Sequence, residues 1–102
     1  MSQPEAKLSR EIMKTLRLKG YFVFKVHGSE YMMAGLPDII VCAEGKFVGL
    51  ETKMPSQRYN TSVQQRLVHE KIRDAGGHCY VVCSSREALR LVEELLEGPL
   101  VS

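Results

Sequence analysis

The chain has 102 residues, 44% of them hydrophobic and 25% charged, with a formal net charge of +2. This suits one domain, 1–102, with one modest core, and it excludes a disordered chain. No segment approaches the roughly 18 apolar residues of a membrane span, and "MSQPEAKLSR" lacks an apolar signal region, so a soluble intracellular protein is expected.

In chain order, Ser2-x-x-Glu5 around Pro4 reads as a capping-box helix start. Leu8, Ile12 and Leu16 form its apolar stripe, and Gly20 can stop the helix. "YFVFKVH" (21–27) has strand composition, and "GSEYMMAGLP" (28–37) reads as a loop. "DIIVC" and "FVGLETK" read as two strands joined by a turn at Glu44-Gly45. "MPSQRYN" (54–60) is a second loop. Thr61-x-x-Gln64 opens the next helix, with Leu67, Val68 and Ile72 inward and Gly76-Gly77 at its end. "HCYVVC" (78–83) is a strand, and Ser84-x-x-Glu87 caps a last helix with Leu89, Val92, Leu95 and Leu96 inward. The order αβββαβα implies a mixed sheet flanked by helices on both faces. The front of the chain is basic and 87–97 is acidic, which fits contact with a polyanion and equally fits solvated helix faces. Cys42, Cys79 and Cys83 lie in or beside apolar runs and read as free buried thiols of a reducing compartment. They have no second ligand pair for a structural zinc.

Charge is unusual in "GLPDIIVCAEGKFVGLETK" (35–53), where Asp38 and Glu51 border apolar strands. A two-residue turn pairs Ala43 with Lys46, and counting back sets Asp38 opposite Glu51. Opposed residues share a face with Cβ atoms about 4.5–5.5 Å apart. A four-residue turn preserves this register, whereas a three-residue turn puts Thr52 opposite Asp38 and sends Glu51 to the other face. Two carboxylates this close repel unless a cation lies between them, and oxygen ligands suit Mg²⁺ or Mn²⁺. The backbone carbonyl of Thr52 is a further candidate ligand. Lys53 follows on the same face, about 7 Å along the strand, where its ammonium can orient water or stabilise charge on a phosphate. An acid-x-Lys pair alone is common in exposed strands, so the specificity lies in the combination of GLPD, strand, turn, strand and GLETK.

That combination resembles the PD-(D/E)xK nuclease superfamily, and within it most closely the VRR-NUC family. The matching segments are "GLPD" (35–38), "GLETK" (49–53) and "QQRLVHEKIRDAGGHCYVV" (64–82). The arrangement is also similar to archaeal Holliday-junction resolvases. Compact standalone domains of this kind are typical of bacterial viruses, which implies the host cytoplasm, and larger relatives serve DNA repair. The resemblance implies an α/β restriction-endonuclease-like core with Asp38 and Glu51 as metal ligands and Lys53 as the catalytic lysine. It implies a completing glutamine on the next helix, Gln65 in preference to Gln64. Glu11 is implied as an acid holding water around a metal, with an exposed partner of Lys7 or Lys14 as the competing reading. Ser29 and Tyr31, in the loop before Asp38, are candidates for approach to the phosphate. His27 reads as a strand end near the site and His69 as a helix-surface residue.

The implied reaction is phosphodiester hydrolysis to 5′-phosphate and 3′-hydroxyl ends, with one or two Mg²⁺ or Mn²⁺ ions and no small-molecule cofactor. No base-reading motif is present, and Lys7, Arg10, Lys14, Arg58 and Arg66 suit phosphate contacts that position DNA without reading it. The expectation is a structure-selective endonuclease that resolves four-way junctions as a homodimer, because two-fold symmetry places two sites on two strands. The C-terminal helix with Pro99-Leu100-Val101, the first helix and the 54–60 loop are candidate dimer surfaces. A monomeric flap or nicking nuclease and a catalytically silent DNA-binding module remain open beside it.

Overall fold

Helix α1 (Gln3–Leu18) begins where the sequence places it. Glu5 N donates to Ser2 Oγ at 3.3 Å, and Pro4 occupies the first turn. The computed structural model describes residues 2–28 and 30–98. Strands β1 (Phe22–Lys25), β2 (Ile39–Ala43) and β3 (Lys46–Thr52) follow, then helix α2 (Val63–Asp74), strand β4 (His78–Val82) and helix α3 (Ser85–Glu97). A single 3₁₀ turn, Pro55–Gln57, interrupts the loop before α2. The expected αβββαβα order is therefore present. Residues 30–34 form turns and no helix.

The sheet runs β1-β2-β3-β4, antiparallel except for the parallel pair β3/β4 across the α2 crossover. The β2–β3 turn has two residues, Glu44 (φ 49°) and Gly45 (φ 80°). Positive φ at both centres matches the right-handed strand twist. It sets Ala43 opposite Lys46 and Ile39 opposite Leu50.

These registers sort the side chains by face. Val23, Ile39, Val41, Val48, Leu50 and Val82 pack against Ile12, Met13 and Leu16 of α1 and Ala88 and Val92 of α3. The opposite face carries Phe22, Phe24, Ile40, Cys42, Phe47, Gly49 and Glu51. Helix α2 covers only the β3–β4 part of that face, where Val68, Ile72, Phe47, Leu36 and Met33 line an apolar groove. Phe22 is left 67% exposed, Phe24 44% and Phe47 45%, and Cys42 is exposed rather than buried. Helices thus flank both faces as expected, but unequally. Leu95 and Leu96, expected inward, are partly buried against the core, and Pro99-Leu100-Val101 lie outside the described residues. Among the described residues no helix is long and apolar enough to cross a membrane.

Candidate active site

Continuing the β2–β3 register one step past Ile39–Leu50 places Asp38 opposite Glu51, on the face shared with Gly49. The strands have already begun to part there. Thr52 N donates not to a β2 carbonyl but to Asp38 Oδ2, at 2.8 Å. The N–H and C=O of one strand residue point to the same edge, so the Thr52 carbonyl also faces the β2 side. Lys53 N is held from the opposite edge by Val82 O at 3.0 Å. Local ladder geometry therefore aims two carboxylates and one carbonyl into one gap, with Lys53 next along the same face as Glu51.

Close packing holds this end of the sheet. A Cβ on Gly49 would lie 2.5 Å from Pro37 Cγ and 3.2 Å from Cys79 Sγ, so the glycine of GLETK makes room for the proline of GLPD. Gly35, at φ 93°, abuts the backbone of Gln64 and Gln65, where an added Cβ would clash. The GLPD loop is thereby seated on the start of α2. The Gly49→Ala variant should lose about 1–3 kcal/mol through overpacking against a rigid ring. Because Pro37 adjoins Asp38, its Mn²⁺ affinity should fall as well, and a denaturant midpoint together with a metal titration checks both.

Glu51 is 4% exposed and Oε1 has no hydrogen-bond partner. Burial, then the charge of and a hydrogen bond with Asp38, push its carboxyl up to about 8, opposed by Lys53 and Lys25. Two crowded carboxylates with an unsatisfied buried oxygen and an adjacent carbonyl form a hard-oxygen donor set, which fits Mg²⁺ or Mn²⁺. Among the described residues no group of three or more His, Cys, Asp or Glu gathers to hold a metal.

The other sequence candidates separate. Glu11 is exposed. Ser9, Ile12, Met13 and Leu16 form the buried stripe of α1, and Glu11 lies about 150° around the helix from its middle. Apolar residues outcompete it for the sheet face, so Glu11 shares the exposed surface of α1 with Lys7, Arg10 and Lys14. Ser9 takes the inward position, and Lys25 Nζ donates to its Oγ at 3.1 Å. Sequence reasoning missed Lys25, a lone lysine at the end of β1. Its only signal was a cation ending an apolar strand, and its charge reaches Glu51.

Gln65 is the third residue of α2, and the cap is Ser62 rather than Thr61. Ser62 N donates to Gln65 Oε1 at 2.9 Å, and Gln65 N donates to Ser62 Oγ at 3.1 Å. The capping role read for Gln64 thus belongs to Gln65, whose amide oxygen is engaged at the helix start. Arg58 is bound to Glu87 of α3 at 2.9 Å, and Glu87 also accepts from Cys83 N, so this guanidinium braces the 54–60 loop. Arg66 is exposed and donates locally to Thr61 O at 2.7 Å. Tyr31 is 89% exposed, and Ser29 lies outside the described residues. His69, read as a surface residue, is 3% exposed, while Leu67, expected inward, is 51% exposed. The inward stripe of α2 is Val68 and His69, one residue round from the expected phase.

A family model described as archaeal Holliday junction resolvase (hjc) matches residues 4–96. A solved structure titled "VRR_NUC domain" is similar over 91% of this chain and 98% of that chain, with a TM-score of 0.70 and 25% sequence identity. No curated protein matches this sequence.

Proposed function

The chain belongs to the archaeal Holliday junction resolvase family and has a nuclease fold, and from this we propose that it is a divalent-metal-dependent endonuclease cleaving four-way DNA junctions as a homodimer. The observation that carries the reading is buried Glu51 set against half-buried Asp38, with Lys53 on the same sheet face. A binding module gains nothing from clustered carboxylates that repel DNA.

Asp38, Glu51 and the Thr52 carbonyl would hold Mg²⁺ or Mn²⁺. When bound, such an ion neutralises charge at the scissile phosphate and lowers the pKa of water. Asp38 is held in place by Thr52 N, and Glu51 by its burial in β3. The Lys53 ammonium stabilises the negative charge that builds on the phosphate and orients the attacking water. With Glu11 on the outer face of α1, one ion per site is the reading favoured here.

For the dimer, the exposed face of β1–β3 is the surface that fits a second copy. Phe22 and Phe24 pack edge-to-face at 5.9 Å, and Phe22, Phe24, Phe47 and Met33 (61%) are all substantially exposed. A second copy on a two-fold axis buries these rings and supplies the second active site that a symmetric junction requires. Phe22→Asp should convert the dimer to a monomer by light scattering, and the monomer should nick junctions rather than cut paired strands. A wild-type mass that is monomeric at micromolar concentration would remove the dimer from the proposal.

The deciding experiment is a panel of four-way, three-way, flap and duplex substrates with Mg²⁺ and with Mn²⁺. Preferential four-way cleavage is expected. Flap cleavage by a monomer supports the nicking-enzyme reading, and binding of branched DNA without any cleavage supports a silent module.

A further inference from the structure

Three buried side-chain atoms among the described residues have no hydrogen-bond partner, namely Glu51 Oε1, Thr52 Oγ1 and His69 Nε2. The first two belong to the metal-site segment of β3, whereas His69 comes from α2 and has no role in the mechanism so far. It sits four residues after Gln65, on the same helix face, and is 3% exposed. Gln65 is turned back into the cap of α2, so His69 is the next polar side chain inward. The charges of Asp38 and Lys53 both act on its ring. Burial, then the Arg73 cation, lower its pKa. Whichever protonation state it holds, the imidazole has at least one N–H to donate.

A buried polar group left unpaired costs about 1–3 kcal/mol, and an apolar side chain at this helix position would avoid that. Loss of an outer hydrogen-bond partner to a metal ligand typically costs about 10–100-fold in affinity. We infer that His69 is a positioning residue of the metal site, whose Nε2–H holds the Asp38 carboxylate through one bridging water. This deepens the proposed function and rests on Asp38 and Glu51 binding a divalent ion.

The test is a Mn²⁺ titration of the full chain without DNA, with free ion counted by electron paramagnetic resonance, alongside a thermal midpoint. His69→Leu should bind Mn²⁺ about 10–100-fold more weakly, yet melt at or above the wild-type temperature because the unpaired nitrogen is gone. His69→Gln, which restores an N–H, should recover most of the affinity. If His69→Leu does not fold, His69→Met serves as the variant without a donor. The inference is overturned if the variant without a donor binds Mn²⁺ like wild type, or if His69→Gln recovers nothing. Wild type that binds no Mn²⁺ overturns both this inference and the metal-site reading, whereas equal binding by wild type and His69→Leu overturns this inference alone.

Discussion

Replacing Lys53 with alanine is expected to lower four-way-junction cleavage about 10²–10³-fold, the usual cost of losing a preorganised charge-stabilising donor. Lys53 continues the face of Glu51, and its backbone is fixed to Val82 by a 3.0 Å hydrogen bond. Its ammonium is thus delivered by a paired strand, which limits the entropy lost on reaching the phosphate. Because the charge matters most where negative charge builds in the transition state, the loss should fall on kcat, with junction and Mn²⁺ binding within a few-fold of wild type. Single-turnover cleavage and a binding isotherm separate these quantities. Wild-type rates from Lys53→Ala would end the assignment of Lys53 as a catalytic residue.

The second large effect joins stability, pH and metal at Glu51. Its carboxyl is raised from the ordinary 4.5 to about 8 by burial and by Asp38. The folded state therefore keeps a proton that the unfolded chain has lost across that interval. Stability from this group is fully present below about pH 4.5 and is lost as pH rises through about 8. Glu51→Gln keeps the shape and removes the titration. Without metal, the variant should overtake wild type as pH rises from 5 to 8, by on the order of a few kcal/mol. Added Mn²⁺ should restore wild type at pH 8, because it binds the deprotonated pair. The variant should gain nothing, and its Mn²⁺ affinity should fall by more than the roughly 10–100-fold that an outer partner costs. Parallel denaturation curves for the two proteins with pH, or an equal metal-induced gain in midpoint, would contradict this account of the pair.

Much of the site is legible in the sequence because it is local. The Glu44-Gly45 turn has an even number of residues, and that parity alone puts Asp38 and Glu51 on one face, with Lys53 two residues along. The helix assignments were less secure in rotation than in existence. Thr61 and Ser62 are both hydroxyl residues with a glutamine three positions later, so either could cap α2, and the choice shifts the inward stripe by one residue. Gly35 abutting the Gln64–Gln65 backbone seats the helix start, and with Ser62 as cap His69 lies inward and Leu67 outward. Glu11 is exposed for a related reason. Adjacency to Ile12 in sequence is a 100° turn in a helix, and Ser9 occupies the inward place.

By itself the sequence determined the element order, through periodicity and short-range spacing, and its GLPD and GLETK motifs carried the nuclease resemblance; the Asp38–Glu51–Lys53 face was conditional on an even turn, which the two-residue Glu44-Gly45 turn supplies. Only the tertiary structure decided that Lys25 reaches Ser9 of α1, that His69 is buried on α2, that Arg58 is tied to Glu87 of α3, and that β1–β3 keep an exposed aromatic face. Each of those depends on how elements distant in the chain are seated against one another. That seating is set by packing volume, such as the space Gly49 leaves for Pro37, which no local pattern encodes.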